Sequence, residues 1–149
     1  MPSITSSVQI VLPQHCNGYA KPRLFGGQLM AWIDVVGAVA ARRYAQKAVT
    51  TLCVDNLMFL KPAYLNDTIV QEAFVTWTGH TSMEVRVDSY VERLGGEREA
   101  INRAYLVFVA LDDEGIPCAV PSFTPQTQAE IEEYEAAVQR RVVRKARKA

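Results

Sequence analysis

Asp34 is the residue with the clearest chemical potential in this sequence. It is the only charged side chain between Gly26 and Ala41. Its helical neighbours at i±3 and i±4 are Ala31, Met30, Gly37 and Ala38, none of which can pair with it. An ionised carboxylate among apolar side chains is costly unless something satisfies it. Its presence therefore points to function: a general base that activates water, or a direct nucleophile. Gly26 and Gly27 precede it. Two glycines at a helix start leave the first N–H groups open to a closely approaching ligand, and the helix dipole favours negative charge there.

Other reactive side chains offer less. His15 and His80 are the only histidines, and neither has a second His or Cys at metal-ligand spacing. Both read as loop polarity. Cys16, Cys53 and Cys118 are an odd, widely spaced set without a Cys-x-x-Cys pair, so neither a disulfide framework nor a zinc site is expected. Gly-x-Ser-x-Gly and phosphate-loop motifs are absent, which removes support for a serine hydrolase or a P-loop nucleotide hydrolase. Met30 with Trp32, and Met58 with Phe59, read as core packing.

These residues must be positioned by a small set of elements. Val8–Leu12 reads as a strand stopped by Pro13, and Gln14 to Leu24 as a loop with turn signals at Asn17-Gly18 and Pro22. Gln28 to Ala41 is helical in length and apolar nearly all round, the mark of a buried helix. Arg42 and Arg43 return it to water. The period then changes. Thr50–Phe59, Thr68–Thr78, Ser82–Glu92 and Glu99–Leu111 are β-rich runs, punctuated by Lys61-Pro62, Gly79-His80, Gly95-Gly96 and Asp112 to Gly115. Such short gaps favour antiparallel hairpins, because a parallel crossover needs a dozen residues or more. From Gln126 a charged amphipathic helix runs towards the C-terminus. One buried helix and about five antiparallel strands predict an α+β fold, a sheet curled around a helix. A helix apolar on every face needs more cover than one small sheet supplies, so a dimer with a continuous sheet is expected.

At 149 residues the chain suits one domain. Hydrophobic residues make up 49% and charged residues 21%, the balance of a globular protein rather than a disordered one. Apolar runs stop well short of the roughly 18 residues of a membrane-spanning helix. The start, Met1 to Ser7, has neither a basic region nor an apolar signal core; the expectation is a cytoplasmic protein that takes no membrane partner. Zero net charge hides an asymmetry. Six of the sixteen Lys and Arg lie from Arg140 to Lys148, which leaves a body of formal charge −6. An acidic body is a poor nucleic-acid surface, so no nucleic-acid partner is expected. The basic tail reads as a solvated helix end whose cations suit the helix dipole.

Leu24 to Asp34, followed by Val49-Thr50-Thr51 and Val54-Asp55, resembles the hotdog-fold acyl-CoA thioesterases. Further matches are Phe59 to Pro62, Asn66-Asp67, Gly79 to Val85, and Phe108 to Pro121, in the family's order over most of the domain. The resemblance implies a long central helix wrapped by an antiparallel sheet over 1–125, with 126–149 as a charged helical extension. It implies hydrolysis of an acyl-CoA to the acid and CoA, with no cofactor beyond the CoA of the substrate, by a homodimer or a higher multiple such as a hexamer. Asp34 matches the family's catalytic acid. Asn17 matches an asparagine that acts across the dimer interface, and Thr51 a threonine that helps hold water or the acid. Thr81 and Ser82 match the segment lining the CoA channel. Gly26 and Gly27 are expected at the substrate, and Lys61, Arg93, Lys21 and Arg23 at the CoA phosphates. The loop from Asn17 to Phe25 is about two residues longer than the family pattern and includes Lys21-Pro22-Arg23. The alternative reading is a non-catalytic acyl-CoA-binding protein on the same fold. A hydratase, which would pair Asp with His, is disfavoured because no His follows Asp34 until His80.

Overall fold

Strand-forming residues dominate the chain between Ala48 and Leu111, and four of the five strands of the main sheet lie there. In the computed structural model, residues 3–18 and 20–147 are described. Met1, Pro2, Tyr19, Lys148 and Ala149 lie outside them, and with them the first residues of the N-terminal segment and the end of the basic tail.

The elements run β1 (Thr5–Ile10), a 3-10 turn (Pro13–His15), β2 (Cys16–Asn17), β3 (Arg23–Leu24), α1 (Gly26–Ala45), β4 (Ala48–Phe59), β5 (Thr68–Thr78), β6 (Ser82–Glu92), β7 (Arg98–Leu111) and α2 (Gln128–Arg147). Five strands form one antiparallel sheet in the order β1-β5-β6-β7-β4, and β2 and β3 form a separate two-stranded ribbon. The α+β architecture anticipated from the sequence is present: α1 lies across one face of the sheet and α2 across the other.

Alternation explains the packing. Ile69, Ala73, Val85, Val87, Leu106 and Phe108 line the inner face of the sheet and meet Leu29, Ile33, Val36 and Ala40 of α1 in one buried cluster. Gly37 lets the helix settle closely. A Cβ there would stand 3.3 Å from the Phe108 ring and 3.5 Å from Val87. α1 ends at Gln46, which adopts the left-handed conformation with its N–H on the Arg42 carbonyl.

Several expectations are corrected. β1 begins at Thr5 and ends at Ile10, earlier at both ends than expected, and the anticipated loop from Gln14 to Leu24 contains the β2–β3 ribbon. Met30, Met58 and Phe59 are not core residues of one chain, being 44%, 65% and 50% exposed. They lie on the side of α1 and on the edge strand β4 that a single chain leaves uncovered. The basic tail is not a solvated helix end: Arg140 and Arg144 turn inward to carboxylates buried under α2.

Candidate active site

The Asp34 side chain is half-buried on α1 and faces β4. The Thr51 hydroxyl donates a hydrogen bond to Asp34 Oδ1 at 2.7 Å. A hydroxyl-to-carboxylate bond of this length is charge-assisted. Here is the partner that no helical neighbour could supply. The pairing of β4 with β7 slips between Thr51 and Cys53, so Leu52 is the extra residue of a bulge. Bulges re-aim side chains, and this one sits directly after the residue that holds Asp34. Thr51 is cross-strand from Phe108, and Phe108 from Met83; the last two are fully buried and fix β4 in register beside the helix.

The N-terminus of α1 lies two turns before Asp34, about 12 Å along the helix axis. Phe25 stands at the N-cap and has no side-chain acceptor, so no cap takes the N–H groups of Gly26 and Gly27. Of the two glycines, Gly27 is the one needed sterically. A Cβ on Gly27 would lie 2.6 Å from the Phe25 ring, and one on Gly26 3.4 Å from the Phe59 ring. A cavity of about 300 Å³ opens beside this terminus, walled by Leu29, Phe59, Leu60 and Ile101 and rimmed by Arg23 and Lys61.

Asn17 is exposed on the β2–β3 ribbon, opposite Arg23. Among the described residues no hydrogen bond joins it to Asp34. The ribbon is nevertheless anchored to the same helix. His15, two residues before Asn17, packs edge-on against Trp32 at 4.9 Å, and its Nδ1 accepts the Leu12 N–H at 3.0 Å. His15 is thus a structural residue, and His80 is exposed on the β5–β6 hairpin.

The residues expected at CoA separate into two groups within one chain. Thr81 and Ser82 stand at one end of β6, and Arg93 just beyond the other, about 33 Å away along the strand. Lys61 and Arg93 converge on Glu99, Lys61 at 2.6 Å. Their hydrogen bonds, that of Lys61 first, hold the Glu99 carboxyl below the usual carboxylate range. Lys21 lies over the Tyr64 ring, 3.8 Å from its centroid, with Arg23 on the same ring at 5.7 Å.

Sequence reasoning missed the ionic layer beneath α2. Glu84 is fully buried and receives hydrogen bonds from Thr76 at 2.6 Å, Arg140 at 2.8 and 3.0 Å, and Arg144 at 3.0 Å. Asp55, 4% exposed, receives Arg147 at 3.1 Å and pairs with Arg144 at 3.5 Å. Arg140 also lies over the Tyr105 ring at 3.7 Å. Burial first, then the Glu133 carboxylate, pushes the Tyr105 phenol up to about 12. The available signal was the i, i+4, i+7 spacing of Arg140, Arg144 and Arg147, an all-arginine stripe on one helix face.

Comparison with known proteins gives the family. A model of the thioesterase superfamily matches residues 22–95, which include Asp34, Thr51 and Ser82. An acyl-CoA thioester hydrolase of Bacillus subtilis is 44% identical over 126 residues, covering 84% of this chain and 73% of that protein. The chain belongs to the hotdog-fold acyl-CoA thioesterase family. Its fold superposes on an acyl-CoA hydrolase of Staphylococcus aureus, solved with butyryl-CoA, CoA and CoA disulfide, with a TM-score of 0.89 at 37% identity. That match covers 97% of this chain and 88% of the other. A hexameric acyl-CoA thioesterase superposes with a TM-score of 0.90 at 39% identity, covering 98% and 93%. Alanine variants of the S. aureus enzyme have been solved at an asparagine, an aspartate and a threonine. That aspartate and threonine are separated in sequence as Asp34 and Thr51 are; the asparagine stands two residues nearer its aspartate than Asn17 does to Asp34.

Proposed function

We propose that this thioesterase-family protein hydrolyses acyl-CoA, with Asp34 as the base. The observation that carries the reading is the Asp34 carboxylate, held at 2.7 Å by Thr51 on the exposed edge of the α1–sheet layer. One carboxylate oxygen takes the Thr51 hydroxyl, and the other is available to a water. Asp34 removes a proton from that water as its oxygen attacks the thioester carbonyl. The resulting oxyanion is stabilised by backbone N–H donors; this chain's own helix start lies about 12 Å from its Asp34, so the candidates are the uncapped Gly26 and Gly27 of a second copy. The C–S bond then breaks, the proton passes from Asp34 to the departing thiolate, and the acid and CoA thiol leave. The protein needs no cofactor in this scheme.

The active unit in this reading is a dimer or a multiple of one. Met30, Val35, Val54 and Met58 along α1 and β4 are 43% to 65% exposed, and β4 is an unpaired edge. A second copy pairing at β4 covers them and brings its Asn17 to this chain's Asp34, which supports the assembly of half-sites. No helix among the described residues is long and apolar enough to cross a membrane, and a cytoplasmic location fits a CoA substrate. The deciding experiment is release of free thiol from a panel of acyl-CoAs. Turnover of at least one member is expected. Binding of acyl-CoA with no thiol release from any of them would leave a binding protein on the same fold.

A further inference from the structure

A second cavity, about 350 Å³, lies on the opposite face of the sheet from Asp34, between the C-terminal half of α2 and the outer sides of β4 to β7. Its floor is apolar and aromatic, with Leu52, Val107 and Trp77, and Ser82 adds a hydroxyl. Its roof is cationic throughout: Arg141, Arg144, Lys145 and Arg147. No acidic residue lines it.

The charge balance shows what the roof is left with. Arg144 and Arg147 are engaged by Asp55, and Arg144 by Glu84 as well. Glu84 also holds Arg140. The two buried carboxylates are therefore saturated by one helix face. Arg141 and Lys145, one residue further round the helix, have no ion pair among the described residues. The Arg141 guanidinium lies instead over the Trp77 ring, 5.0 Å from its centroid. A heterocyclic base can stack against such a guanidinium–indole pair. Free cations beside that pair suit phosphate.

We propose that this cavity binds a nucleotide carrying at least two phosphate charges, with its base at Arg141 and Trp77 and its phosphates at Lys145 and at the exposed N–H groups of Arg147 that its one contact with Asp55 leaves over. Inorganic phosphate would leave the apolar floor unused. A nucleic-acid polymer would meet the −6 body outside the cavity. Leu52 and Cys53 of the floor directly follow Thr51, so the cavity and the Asp34 carboxylate flank the same edge strand. The nucleotide has two possible sources, the 3′-phosphorylated ADP end of CoA or a free nucleotide that tunes activity. The first rests on the acyl-CoA reading above; the binding itself does not.

The test uses the whole protein, adenosine 3′,5′-bisphosphate as the probe, and the double variant R141Q/K145Q. Neither side chain belongs to the buried ion layer, and an unchanged melting curve checks that the variant folds. Calorimetric titration should show binding to the parent and at least about tenfold weaker binding to the variant, the scale of losing charge-assisted bonds. No binding to the parent, or equal binding to both, overturns the proposal. If the source is CoA, the variant raises KM for acyl-CoA, and its preference for acyl-CoA over the N-acetylcysteamine thioester falls about tenfold. If the source is a free nucleotide, that preference is kept and the probe's effect on the parent's rate is lost. Binding of the probe by a protein that releases no thiol would sink the thioesterase reading and keep this one.

Discussion

At the residue scale, one carboxylate and one hydroxyl carry the chemistry. Asp34→Asn keeps the size and most hydrogen bonds of the side chain and removes the base. Thiol release should fall by roughly two to four orders of magnitude, the usual scale for a lost general base. CoA binding and the melting temperature should be retained, since the half-buried carboxylate bears no packing load. Thr51→Ala should cost less, about tenfold to a hundredfold, because one hydrogen bond to a charged group is removed while the proton acceptor stays. A Thr51→Ser variant should recover most of that loss. Parent-like turnover by Asp34→Asn would move attention to another acid.

At the element scale the β-rich middle and both helices were legible, while the bounds of β1, the β2–β3 ribbon and the face that α2 turns inward were not. Thr68–Thr78 and Ser82–Glu92 are strands over the bounds expected, because β-branched residues fill them and Gly79 and Gly95-Gly96 close them. The β2–β3 ribbon has two residues in each strand, too few for any hydrophobic period. Asp34 stood out by its isolation on the helix, but its partner is 17 residues away on a strand. Resemblance, rather than local spacing, named Thr51. The inward turn of Arg140 and Arg144 was invisible for the same reason. Their carboxylate is 56 and 60 residues upstream, and a basic helix end ordinarily faces water.

Two predictions belong to these elements. Gly37→Ala should destabilise the protein by about 1–3 kcal/mol in urea unfolding, because the added methyl is pressed into Phe108 and Val87 where α1 meets the sheet. The alkaline limb tests α2. The Tyr105 pKa is raised to about 12 in the folded protein from an ordinary 10. Between these values the unfolded state loses its phenolic proton first, so the stabilisation is present below pH 10 and is lost as pH rises towards 12. Tyr105→Phe should flatten that limb of a stability–pH curve; an unchanged limb would mean that Tyr105 is not what limits alkaline stability.

At the scale of the whole molecule, one chain is an incomplete object. The apolar side of α1 and the edge β4 together expose side chains that a free monomer has no reason to show to water. Placing charge there, as Val54→Lys with Met58→Lys, should convert the assembly to monomers in sedimentation and abolish thiol release while leaving the circular dichroism of a folded chain. An active monomer would overturn the shared-site reading.

The ionic layer beneath α2 also sets the order in which a new chain can finish folding. Asp55 and Glu84 leave the ribosome well before Arg140, Arg144 and Arg147. While synthesis continues, the sheet can form against α1, but both carboxylates still face water on an open surface. Closure of this face waits for α2 to emerge. Until then the nascent chain exposes a broad, partly apolar sheet face, which makes that interval its period of greatest need for a chaperone.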